Sequence, residues 1–70
     1  MFFTRHAKNS LRQLGITQSE VEAIVARPRR VRMGGDGKPN YEGSVHGIWI
    51  RVVVALDDPD VIVTIFDRKQ

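Results

Sequence analysis

The stretch Ile48-Trp49-Ile50-Arg51-Val52-Val53-Val54-Ala55-Leu56, followed by Asp57-Asp58-Pro59-Asp60 and then Val61-Ile62-Val63-Thr64-Ile65-Phe66, decides the fold. Both apolar runs are rich in β-branched side chains, which suit a pleated, half-buried backbone. Asp57 to Asp60 has the composition of a tight turn. Strands joined by so short a turn run antiparallel. With residues 57–60 as the loop, Leu56 faces Val61, Val54 faces Val63 and Val52 faces Ile65. Side chains alternate across a strand, so these residues, with Ile50 and Ile48, make one wholly apolar face. The opposite face carries Trp49, Arg51, Val53, Ala55, Ile62, Thr64 and Phe66.

Upstream, the period of two continues. Arg29 to Met33 reads as a short strand, Gly34 to Asn40 as a loop, and Tyr41 to Val45 as a strand weakened by Gly43. His46-Gly47 is the turn that leads into Ile48. Before Arg29 the period is helical. Thr4 caps a helix that runs to Leu14, with Phe3, Ala7, Leu11 and Leu14 at helical spacing. Gly15 stops it. Thr17 and Glu20 form a capping box for a second helix, whose apolar face is Val21, Ala23, Ile24 and Val25 and which Pro28 ends. Arg68-Lys69-Gln70 reads as a fraying end. The expected class is α+β: an N-terminal helical hairpin packed on one face of a four-stranded antiparallel sheet. Seventy residues allow a single domain, 1–70.

Composition removes several function classes. The absence of cysteine excludes a disulfide framework, a thiolate zinc site and a cysteine nucleophile. No apolar run approaches the roughly 20 residues of a membrane helix. The N-terminus lacks the order of a signal peptide, so a cytoplasmic protein without a membrane partner is expected. No metal-ligand spacing is present, and His6 and His46 fall in different elements. Gly34-Gly35-Asp36-Gly37 lies between two strands, which is not where a nucleotide cradle sits. Neither metal nor cofactor is expected.

The net charge of +3 hides an asymmetry, with residues 1–40 at +5 and residues 41–70 at −2. Arg27, Arg29, Arg30 and Arg32 fall within six residues. Guanidinium forks match phosphate geometry and stay charged, which suits an RNA-binding footprint. The competing reading is an edge strand kept soluble by charge. The mixed sheet face is open to two readings as well. Trp49, Phe66 and Arg51 resemble a platform on which bases stack while phosphate is held; alternatively, loop 34–40 folds over the face and Trp49 is core. Tyr41 is a further candidate for stacking. The chemistry left to this composition is acid–base work by histidine with arginine for charge. Metal-independent RNA cleavage needs only a base for the ribose hydroxyl, a cation for the phosphorane and an acid for the leaving oxygen. His6 sits at the edge of the first helix's apolar stripe, where a boundary histidine is the plainer reading. His46, at a turn, reads as surface.

Several short matches occur in order: Phe3-Thr4-Arg5-His6-Ala7, Gly15-Ile16-Thr17 with Glu20-Val21, Arg27-Pro28, Tyr41, Ile50-Arg51-Val52-Val53-Val54 and Ile62-Val63-Thr64-Ile65. Together they resemble a family of small bacterial and phage domains grouped with the RelE-like toxins, within the barnase–EndoU–colicin–RelE assembly of nucleases. The resemblance implies a microbial-RNase-like fold and a toxin-type endoribonuclease acting on RNA. It implies an active centre of His6, Arg51 and Thr64, and an antitoxin, immunity or other inhibitor protein as partner. Phe66 departs from the pattern, since Tyr is expected there. With the helices on the apolar face, His6 joins Arg51 and Thr64 only by reaching round an edge. The alternative is a non-catalytic module of the same fold that binds nucleic acid or protein.

Overall fold

The computed structural model describes residues 1–67. The chain runs β1 (Phe2–Phe3), α1 (Arg5–Leu14), α2 (Gln18–Ala26), β2 (Arg30–Met33), β3 (Pro39–Val45), β4 (Ile48–Val54) and β5 (Val61–Asp67). The expected frayed end at 68–70 lies outside the described residues.

Both helices start where a side-chain oxygen meets an orphan backbone amide. Thr4 accepts from the Ala7 amide, and Gly15, with φ of 71°, closes the helix through its own N–H to the Leu11 carbonyl. Thr17 and Glu20 form the reciprocal capping box at the start of α2. Glu20 is held below the ordinary carboxylate value, chiefly by the hydrogen bond that its carboxylate accepts from the Thr17 amide and also by the charge of the neighbouring His46. A depressed folded value means that this stabilisation is fully present above the ordinary carboxylate range. It is lost as pH falls through the folded value. We therefore expect Glu20→Gln to lower stability near neutral pH and to make no difference in strong acid. Chemical denaturation of both proteins across the acid range checks this; a gap that stays constant with pH removes Glu20's charge from the cap.

The sheet has five strands in the order β1-β5-β4-β3-β2. Strands β2 to β5 form the expected antiparallel meander, but the sheet is mixed because β1 joins β5 in parallel. This corrects the four-stranded, purely antiparallel expectation. Phe3, expected on the stripe of the first helix, belongs to β1 and is buried beside Ile62. A two-residue strand shows no alternation, so it reads as the lead-in to a helix. It is tied down by the Phe2 amide to the Asp60 carbonyl and by the Thr4 amide to the Ile62 carbonyl.

The β4–β5 register also departs from expectation. Val52 opposes Ile65 as expected, and Val53 opposes Thr64, but Val54 opposes Ile62. Val63 is the extra residue of a β-bulge, and the side chains beyond it change sides. Ile62 therefore lies in the core rather than on the open face, while Val61 and Val63 are only partly buried and Leu56 is exposed. The Thr4 hydroxyl donates to the Val63 carbonyl at 2.8 Å, so the cap of α1 also holds the bulge.

Ala7 and Leu11 of α1 and Val21 and Ile24 of α2 pack with Ile50, Val52, Val54, Ile62 and Ile65. Gly43 lies beneath Ile24, where a Cβ would stand 3.1 Å from Ile24 Cγ1. That close approach is what the glycine in β3 permits. Helix α1 covers β5 and α2 covers β3, so edge strand β2 extends beyond both and is exposed throughout. Among the described residues no helix is long and apolar enough to cross a membrane.

Candidate nucleic-acid interface

The His46-Gly47 turn sets the β3–β4 register. Both residues have positive φ, 52° and 79°, as in a two-residue type I′ hairpin. Val45 then opposes Ile48, Ser44 opposes Trp49 and Glu42 opposes Arg51. On the other side of β3, Arg30 opposes Glu42 and Arg32 opposes Asn40. Directly opposed residues share a face. The helix-free face of the sheet therefore carries Arg30, Arg32, Asn40, Glu42, Trp49 and Arg51, with Thr64 and Phe66 contributed by β5.

Glu42 is the centre of this face and is fully buried. Its carboxylate accepts from Trp49 Nε1 at 2.9 Å and from Arg51 Nε at 3.1 Å. The Arg51 guanidinium also lies 5.5 Å from the centroid of the Phe66 ring, in reach of a cation–π contact. Arg51 is therefore fixed in direction, while Arg30 and Arg32 project from an exposed strand. Trp49 is half-buried and Phe66 is 37% exposed.

The sequence-derived candidates divide between two sides. Arg51 and Thr64 share the helix-free face as diagonal neighbours. His6 does not join them: it is exposed on α1, in the helix layer, one position from buried Ala7. Tyr41 lies on the helix side, opposite Val52, packed against the core. The arginine run divides too. Arg30 and Arg32 face the helix-free side, whereas Arg27 and Arg29 line a groove of roughly 390 Å³ between α2 and β3. His46 stands on that groove with its Nε2 2.7 Å from Glu20 Oε2.

No family model, curated protein or solved structure matches this chain. Three guanidiniums, one aromatic ring exposed beside them and a tethered indole occupy a face that neither helix covers. Such a surface holds phosphates by charge and presents a ring edge to bases. Among the described residues no three His, Asp or Glu side chains group to hold a metal ion.

Sequence reasoning missed Glu42. The signal was available in the turn, because counting back from His46-Gly47 brings Glu42 opposite Arg51. Asn40 belongs to β3, not to the loop that the composition of residues 34–40 suggests.

Proposed function

We propose that the chain is an RNA-binding module that engages single-stranded RNA on the helix-free face of its sheet. One observation carries this reading: Arg30, Arg32 and Arg51 share that face with Phe66 and Trp49. An edge strand needs charge only to stay soluble, and either side would serve that purpose. Here two of the charges fall in line with a third on β4 that is held in place by a buried carboxylate. Kinship with RelE-like toxins is part of the proposal, supported by two helices preceding an antiparallel meander and by Arg51 and Thr64 sharing a face. The position of His6 in the helix layer favours binding over cleavage, because a proton-transfer group must come within hydrogen-bond reach of the reacting oxygen.

The test is a salt series with a labelled single-stranded RNA oligomer, read by fluorescence anisotropy. Three phosphate contacts give a slope of log affinity against log salt of about −2, and Arg30→Ala with Arg32→Ala is expected to reduce it to about −0.7. Arg27→Ala with Arg29→Ala, on the other side, should leave the slope unchanged. Equal loss from both pairs would mean that charge alone, without a face, governs binding. The oligomer is expected to be recovered uncut after incubation in chelator, and His6→Gln to bind as wild type does. Cleavage that disappears in His6→Gln would establish the endoribonuclease reading instead.

A further inference from the structure

We propose that the cleft beside the loop between β2 and β3 is a seat for a phosphate group. The cleft holds roughly 290 Å³ and is lined by Arg32, Met33, Gly34, Gly35, Asn40 and Arg51. Asn40 is the central residue of the cleft. It is 8% exposed, lines the cleft, and its side-chain amide has no hydrogen-bond partner among the described residues. Its polar atoms are not sealed in the interior but open onto the cleft, where a ligand can meet them.

The groups around Asn40 supply the charge. Arg51 places its Nε on Glu42, and its terminal nitrogens have no hydrogen-bond partner among the described residues. Arg32 is exposed and equally free there. The two guanidiniums come from β2 and β4 and the amide from β3, so donors approach from three strands beside the Gly34-Gly35 loop. A carboxylate offers two oxygens to such a set, whereas a tetrahedral oxyanion meets donors from several directions at once. Gly34 leaves this corner open: a Cβ there would stand 3.1 Å from Asp36 Oδ1 and 3.2 Å from Asn40 Nδ2. The loop's own carboxylate, Asp36, is engaged by the Lys38 amide at 3.0 Å and the Lys38 ammonium at 2.9 Å. That internal pair moderates its repulsion of an incoming anion.

The seat deepens the RNA reading, because the phosphate it takes would belong to that RNA, either as a backbone diester or as a terminal monoester. Its own test uses inorganic phosphate, added to ¹⁵N-labelled protein at constant ionic strength. Saturable shifts are expected at the Gly34 and Gly35 amides, the Asn40 side-chain amide and Arg51 Nε–H. Arg32→Ala, a change at an exposed position, should weaken phosphate binding by about ten- to a hundredfold, and Asn40→Asp by a similar factor. Shifts that rise without saturation and spread to Arg27 and Arg29 would overturn the seat, as would unchanged affinity in Arg32→Ala. Competition by RNA separates this proposal from the previous one. RNA that binds the face while phosphate never occupies the cleft sinks the seat alone; phosphate that saturates the cleft while RNA fails to bind sinks the RNA reading alone. Stronger displacement by an oligomer carrying a 5′-phosphate identifies a terminal monoester as the occupant, and equal displacement identifies the backbone. Either result supports the seat.

Discussion

Replacing Glu42 by alanine is expected to cost about 2–4 kcal/mol of folding stability. The side chain is fully buried and accepts hydrogen bonds from Trp49 Nε1 and Arg51 Nε. Truncation leaves both donors behind. An indole N–H buried without an acceptor loses about 1–3 kcal/mol. Removing one member of a buried ion pair costs about 3–5 kcal/mol when the other charge stays dry. The Arg51 side chain is 27% exposed and regains some water, so the lower part of that range applies. A domain of this length has only about 4–10 kcal/mol in total, so the change consumes a large share of it. Glu42→Gln is expected to be milder, since the amide oxygen still accepts from one donor while its NH₂ meets the other. Denaturant unfolding of the three proteins checks the order. Glu42→Ala within about 0.5 kcal/mol of wild type would mean that the buried carboxylate does not organise this face.

The same residue links stability to function. With Glu42 in place, Arg51 Nε is held and the guanidinium is directed between Phe66 and the cleft. Without it, the arginine is a flexible charge that must be ordered each time an anion binds, at a cost in side-chain entropy. A buried acid in a basic face thus has a physical role: it spends part of one positive charge to fix the direction of the remainder.

What was legible in the sequence was what local chemistry controls. Thr4, Gly15, Thr17 and Glu20 bound the helices through contacts within four residues of each other, so their readings transferred to the structure intact. The alternation of Ile48 to Val54 showed which residues face the helices, and Val52 opposite Ile65 followed from the turn. What was not legible depends on partners distant in the chain. Strand β1 exists because Phe2 and Phe3 find the edge of β5, some sixty residues away. The burial of Glu42 runs against its ordinary place at the surface and follows only once Trp49 and Arg51 are placed across from it. His6 looked close to the apolar stripe, yet one residue along a helix is a rotation of about 100°, enough to carry a side chain off the buried face. The arginine run looked like one cluster, and strand alternation divided it between two sides.

Truncating Ile62 to alanine is expected to cost about 2–5 kcal/mol, whereas Val63→Ala should cost under about 1 kcal/mol. Ile62 is fully buried between Val54 on one side and Phe3 on the other. Its neighbours belong to two other strands, β4 and β1, so the cavity left by truncation cannot close by a shift of one element. Val63 is partly exposed, and what the fold draws from that residue is its carbonyl, which accepts from the Thr4 hydroxyl and survives the substitution. A strand with regular alternation would reverse the order, because Val63 would then oppose Val54 and point into the core. Denaturant unfolding of the two variants therefore reads the bulge directly. The outcome bears on the interface as well. The bulge lies between Ile62 and Thr64, so it turns Ile62 away from the helix-free face while leaving Thr64 opposite Val53 and Phe66 opposite Arg51. An apolar side chain that would otherwise extend the basic face is withdrawn into the core, and the face ends at Thr64. If Val63→Ala proves the more costly change, Ile62 returns to that face and its apolar surface beside Thr64 must be counted in any account of what binds there.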